Sequence, residues 1–464
     1  MNCLMIRLWR IDISLIKKKR EGIIEFKMGK RMKKGRKRSN TGKIIVLLFF
    51  IVVLLIGVKF IHKKDSKKIA ETSFENNSNI AVEEKKEDSV ATIVACGDTL
   101  CHMPVNKDAY NSETKEYDFS SIFKYITDEF KDKTVAVGNL ETTLTGKQPY
   151  TGYPMFNSPE HLATDLKELG FDIMTTANNH ALDRGYSGIV STLDYLDNAG
   201  IAHTGTSRSK EEQDTILFKD LNGIKTAFLA FTYGTNGNAI PSGKEYCINI
   251  IDKDSIKQKI DKAKEEGAEA IVVSMHWGVE YQTKPNEEQK DLAEFLIKND
   301  VNVILGCHPH VLEPLELKKV TMDDGTEKEA LVIYSMGNFF SAQVYPNTRD
   351  TIILNAQVRK NGKTGKISID KATYTPVYNL DNGVSAKDRF TLLNLDDIIS
   401  SYQNGDGKWS KSKYDLAVTE KNRIEQIVGP EIDNTMNNNS TNSDANTDNV
   451  NIVDNSNNTE NTEK

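Results

Sequence analysis

Apolar residues in the middle of this chain come in short separate runs: ATIVAC (91–96), TVAV (134–137), FDIMTT (171–176), AFLAF (227–231), AIVVSM (270–275), VNVIL (301–305) and ALVIYS (330–335). Their length and β-branched content predict buried strands rather than helices. Between them apolar positions recur at helical spacing, as in Ile122, Phe123, Ile126 and Phe130, then Ile189, Leu193 and Leu196, then Ile256, Ile260 and Ala263, then Leu292, Phe295 and Leu296. Strands alternating with helices predict an α/β domain whose helices cover a sheet. Strand-like runs at 351–358 and 366–375 carry that domain over residues 91–380. A C-terminal extension, 381–430, shows one helical pattern near Leu416 to Val428 and otherwise reads as polar loop. From Glu431 to Lys464, Asn, Thr, Ser and Asp dominate, a composition that cannot bury enough apolar surface to order itself.

The amino-terminal part has a different texture. Ile44 to Val58 contains no charge, and with Lys59 snorkelling the apolar stretch reaches Ile61, just enough for the roughly 17–25 residues that span a bilayer. The preceding segment, 1–43, carries fifteen Lys and Arg against three Asp and Glu, while the rest of the chain carries 45 against 63. Basic residues before the apolar run and fewer after it predict a single-pass anchor at 44–61, a cytoplasmic 1–43, a polar linker at 62–90 and an acidic domain outside the cell. That acidity argues against a nucleic-acid partner. Five cysteines without CxxC spacing indicate neither a zinc ribbon nor a disulfide framework; Cys101 and Cys307 read as packing residues, and Trp277 as core.

Candidate chemistry sits where the strand runs end. Asp98 follows the first run and Glu141 the second; Asn179 and His180 follow the third, His276 the fifth, and His308 with His310 the sixth. Ligands of open α/β sheets bind beyond the carboxyl ends of strands, so these groups are expected to converge in one cleft. Singly, each has an ordinary reading as a cap, a turn or a satisfied histidine. As a set they form a carboxylate, amide and imidazole ligand group suited to Mn, Fe or Zn. Arg184 is a candidate anchor for a substrate oxyanion, and Asn338 a candidate substrate contact in a loop at the rim.

Six segments, GDTLCH (97–102), NLETTLT (139–145), ANNHALDRG (177–185), HWGVEY (276–281), GCHPHVLEP (306–314) and YSMGNFF (334–340), resemble the ordered motifs of the CapA, or poly-γ-glutamate capsule synthesis, family. That family is similar in turn to calcineurin-like metallophosphatases. The resemblance implies a four-layer double β-sandwich flanked by helices, here preceded by one transmembrane helix, and two divalent metal ions. It implies that Asp98 and His310 hold one ion, with His102 as a further ligand, and that Glu141 bridges to a second held by Asn179, His276 and His308. His180 is then the general acid, oriented by Asp183. The first motif reads D-x-x-x-H instead of D-x-H, and Glu141 stands where the larger superfamily has Asp. The expected function is synthesis or export of poly-γ-glutamate or a similar anionic polymer alongside other capsule membrane proteins. The alternative is a phosphatase or phosphodiesterase acting on another envelope phosphoester, and a third reading is a non-catalytic assembly module.

Overall fold

The computed structural model describes residues 87–435; the expected anchor at 44–61, the segment before it, the linker up to residue 86 and the tail beyond 435 lie outside them, and the linker's expected last residues, 89 and 90, belong to the first strand. Among the described residues no helix is long and apolar enough to cross a membrane. In chain order the strands are β1 (Ser89–Thr99), β2 (Val135–Leu140), β3 (Ile173–Thr175), β4 (Ala202–Thr204), β5 (Leu217–Leu221), β6 (Ile224–Thr232), β7 (Ala270–His276), β8 (Val303–Cys307), β9 (Leu315–Thr321), β10 (Glu327–Ile333), β11 (Asn338–Phe340), β12 (Asp350–Lys360), β13 (Ile367–Asp381), β14 (Phe390–Asn394) and β15 (Ile432–Asp433).

They form two mixed sheets. Sheet I runs β14-β13-β12-β1-β2-β3-β4, with β11 added beside β1 and β15 beside β13; β1 to β4 are parallel and β12 to β14 antiparallel. Sheet II runs β5-β6-β7-β8-β10-β9, parallel from β6 through β10. The sheets share a core in which Ile93, Val135 and Val137 meet Phe228, Val272, Leu305 and Ile333. The outer face of sheet I buries Val94, Ala136 and Met174 with Leu162, Leu166, Ile189 and Leu193 of the helices His161–Leu169 and Gly185–Ala199. The outer face of sheet II buries Leu229, Phe231 and Val273 with Ile256, Ile260, Leu292 and Leu296 of Lys253–Glu265 and Glu287–Lys298. Helices, sheet, sheet, helices are therefore the four layers, and strands buried on both faces explain why their runs are continuously apolar. Trp277 lies in this outer core, its indole Nε1 donating to the Tyr334 carbonyl at 2.9 Å.

Residues 381–430 are not mostly polar loop. Phe390–Asn394 pairs with β13, and the helices Leu395–Gln403 and Lys411–Val428 place Leu395, Ile398, Ala417, Ile424 and Val428 in the core between the sheets. The five-residue FTLLN run carries too few alternations to register as a strand before its partner is known. Likewise Ile432–Asp433 pairs antiparallel with β13 from within a segment whose composition is polar.

Candidate metal centre

Sheet I supplies the oxygen donors. The Asp98 carboxylate ends β1, fully buried, and accepts from Asn139 Nδ2 at 2.8 Å. Its backbone N–H donates to Gly337 at 2.9 Å. A Cβ at Gly97 would collide with that same Gly337 carbonyl, so only glycine lets β1 approach so closely. Glu141 follows β2 and is fully buried; its backbone N–H donates to Thr99 O at 3.1 Å.

Sheet II supplies the imidazoles. His276 is the last residue of β7, and His308 and His310 follow β8. Both residues of the H-x-H pair have positive φ, 99° and 60°, a conformation that costs a non-glycine residue on the order of 1–3 kcal/mol and clusters at functional sites. A Cβ at Gly306 would strike the Tyr334 carbonyl, which explains the glycine ahead of the turn. The His308 backbone N–H donates across to Asp98 Oδ2 at 3.1 Å, joining the two sheets at the cluster.

Two groups of ligand atoms share Glu141: Asp98, Glu141 and His276, and Glu141, His308 and His310, each with its atoms within 4.8 Å of one another. His310 Nδ1 lies 3.2 Å from Asp98 Oδ2, an ion-pair distance without hydrogen-bond geometry. His276 Nε2 lies 3.5 Å from Glu141 Oε1 and 2.9 Å from Asn179 Oδ1. This partition of the histidines differs from the implied one, where His310 goes with Asp98 and His276 with His308. The rings of His276 and His308 are 4.9 Å apart, so both partitions draw on the same side chains.

Electrostatics follow the packing. Burial would raise the Asp98 carboxyl, but the His310 contact and the neighbouring imidazoles outweigh it and hold it well below the carboxylate range. Burial, reinforced by the Asp98 charge, pushes Glu141 well above its usual range. Burial also lowers His276 to about 3 and His308 to about 2. For His310 burial acts downward, yet Glu141 and Asp98 carry it up to about 9. Neither Glu141 oxygen meets a hydrogen-bond donor, the buried Nδ1 of His308 lacks a partner too, and that of His310 meets only the Asp98 carboxylate. Buried polar atoms are rarely left so, and the donor set of Asp98, Glu141, Asn179, His276, His308 and His310 is compatible with divalent metal.

His180 is buried beside the cluster. Its Nδ1 is 2.8 Å from Asp183 Oδ2, whose carboxylate also accepts the Phe156 N–H at 2.7 Å, so Asp183 fixes the ring while Nε2 faces Asn236 Nδ2 at 3.4 Å. His180, His310 and His102 line one cavity of about 380 Å³. His102 belongs to neither ligand group; it packs edge-on against Phe156 on the cavity wall, and burial lowers it to about 4. Arg184 does not reach this cavity. Its guanidinium holds the Thr151 hydroxyl and the Met155 carbonyl and faces a separate cleft with Lys147 and Ser187. Asn338 is fully buried, and its amide donates to His310 O, Gln343 Oε1 and Thr348 O, which ties it to the His310 turn. Sequence reasoning passed over Asn139, which touches both Asp98 and His276, and the loop after β6, where Asn236 links Asn179 to His180 and Tyr233 packs 4.5 Å from His308. Asn139 stood inside the motif NLETTLT, and its place in the parallel strand beside Asp98 was the available signal.

Fold and donors together define a two-sheet α/β sandwich carrying a buried carboxylate and imidazole constellation at the strand ends. The sequence profile of the family described as bacterial capsule synthesis protein PGA_cap matches residues 92–343, more than half of the chain. The chain belongs to that family. It is 29% identical over 361 residues to the PGA biosynthesis protein CapA of Bacillus subtilis (strain 168), covering 75% of this chain and 86% of the relative, and 26% identical over 337 residues to the capsule biosynthesis protein CapA of Bacillus anthracis, covering 71% and 75%. Among solved structures, the calcineurin-like phosphoesterase YfkN from Bacillus subtilis aligns with 73% of this chain and 99% of its own at 13% identity and a TM-score of 0.39, a likeness too loose to carry argument.

Proposed function

We propose that this chain is a single-pass membrane protein whose domain faces outward and acts in synthesis or export of poly-γ-glutamate or a similar anionic capsule polymer, through a phosphoesterase-type site for two divalent cations. Family membership supports the capsule role. One observation carries the site: the fully buried Glu141 carboxylate, without a donor for either oxygen, shared by both ligand groups. Bound cations would supply the positive charge that phosphoester hydrolysis needs at its oxygens. The chain's own part is to hold those charges with Asp98, Glu141, Asn179, His276, His308 and His310 and to deliver a proton. With Nδ1 engaged by Asp183, Nε2 is the ring nitrogen left to carry a transferable proton in the imidazolium form, on the side of Asn236 and the cluster.

The test is elemental analysis of the purified full chain, a phosphodiester assay, and capsule production in cells carrying wild type or Glu141→Ala. The reading expects about two divalent ions per wild-type chain, hydrolysis, and loss of all three properties in the variant. A metal-free wild type, or full capsule from Glu141→Ala, overturns it. Added protease should digest the domain on intact protoplasts; complete protection overturns the topology.

A further inference from the structure

Eight large hydrophobic side chains are exposed among the described residues, and their distribution is uneven. Tyr153, Tyr281, Val344 and Tyr345 line the cavity that reaches His180 and His310, and Tyr233 packs on His308. Tyr153 is 76% exposed and Tyr345 57%. Isolated exposed hydrophobics need no explanation, but a group of them around one opening marks a binding surface. Tyr281 also has a φ of 67°, an uncommon conformation for an aromatic residue. Its N–H donates to Pro309 O at 2.8 Å, inside the H-x-H turn, and its ring lies 4.8 Å from Tyr345. The strained backbone thus ties an aromatic platform directly to the ligand loop.

The same cavity has no lysine or arginine in its wall, and its one carboxylate is Glu280. A polyanion would meet no lysine or arginine there, only the His310 imidazole at the inner end, and it would meet a like charge at Glu280. We propose that this cavity receives an uncharged ring, a sugar or a nucleobase, borne by a phosphoester whose phosphoryl group faces His180 and His310; the proposal rests on the phosphoesterase-type reading above. The ring stacks on Tyr281 and Tyr345, because every such ring offers an apolar face to an aromatic one. A bare γ-glutamate segment is accordingly not the ligand of this cavity, whatever polymer the protein serves.

The experiment is isothermal titration of the manganese-loaded full chain with glucose 1-phosphate, uridine 5′-monophosphate, glycerol 1-phosphate and a short γ-glutamate oligomer, with hydrolysis followed in parallel. At least one ring-bearing phosphate should bind on the order of tenfold tighter than glycerol 1-phosphate, and which one does so separates sugar from nucleobase. Tyr345→Ala, at an exposed position, and Tyr281→Ala should bring that ratio toward one while the bound metal is retained. Equal affinities in wild type, tighter binding of the γ-glutamate oligomer, or a ratio unmoved by both variants overturns the ring site. Ring preference without hydrolysis of any ester would leave the ring site standing and sink the phosphoesterase reading. Hydrolysis without ring preference would do the reverse.

Discussion

The two sheets contribute different chemistry to one point. Sheet I brings oxygen, in Asp98 at the end of β1, Glu141 after β2 and Asn179 after β3; sheet II brings nitrogen, in His276, His308 and His310. Neither sheet holds a mixed donor set of its own. The centre is therefore a consequence of how the sheets pack, and the His308 N–H on Asp98 Oδ2 is the backbone bond that spans the junction. A core of ordinary aliphatic residues behind the cluster sets the spacing of its charges.

Removing the shared oxygen donor is the strongest way to break this arrangement. Glu141→Ala takes a ligand from both groups, so metal affinity should fall by more than the roughly 10–100-fold that loss of a supporting hydrogen bond costs, and hydrolysis should fall with it. Elemental analysis after dialysis checks this; a variant that retains its metal would show that the sheets hold it without Glu141.

His180 sharpens the comparison because it comes from the sheet I side yet is an imidazole outside both ligand groups. His180→Ala should keep most of the metal and lose rate on the order of 10²- to 10⁴-fold, the range for a positioned acid. Metal loss in this variant would make it a ligand.

The packing itself can be loosened at a distance from the donors. Phe228 on β6 is 2% exposed in the core between the sheets, and Phe228→Ala should cost about 3–5 kcal/mol. Urea unfolding measures the loss, and metal affinity should weaken alongside it. Full affinity in a destabilised variant would mean that the donors are aligned locally, not by the sheets.

The parallel centre of each sheet was legible in the sequence because strands buried on both faces are written as short, unbroken apolar runs that end in a polar group. Asp98, Glu141, His276 and His308 could be found that way. Strands β5, β9 and β14 could not: Leu217–Leu221 and Leu315–Thr321 are half exposed and interleave charges, and Phe390–Asn394 is defined by its pairing with β13. Arg184 and Asn338 were placed at the site by their positions in motifs. Direction is what sequence leaves out, and both side chains turn toward protein carbonyls. Asn236 and Tyr233 lay in a loop with no motif, reaching the cluster only because β6 neighbours β7.

Sheet II does have one buried carboxylate near its imidazoles, and it serves a different purpose. Glu313, three residues after His310, is fully buried; its Oε2 accepts from Gln289 Nε2 at 2.6 Å and its Oε1 has no partner. Gln289 in turn accepts the Asn286 N–H at 2.9 Å in the capping box that starts the helix Glu287–Lys298. Burial pushes Glu313 up to about 7, with the Gln289 bond acting against it. An unfolded carboxyl titrates near ~4.3, so between about pH 4.3 and 7 the folded chain holds a proton that the unfolded chain has lost. Folding stability attributable to this group is thus full below that window and falls as pH rises through it, by at most about 4 kcal/mol. Glu313→Gln keeps a carbonyl for Gln289 and removes the titration. Urea unfolding of both proteins in chelator should show wild type losing ground to the variant from pH 4.5 to 7, with a constant difference on either side. A difference that stays flat, or moves in favour of wild type, would mean that Glu313 is ionised in the fold and that sheet II, like sheet I, carries a charged carboxylate behind the metal centre.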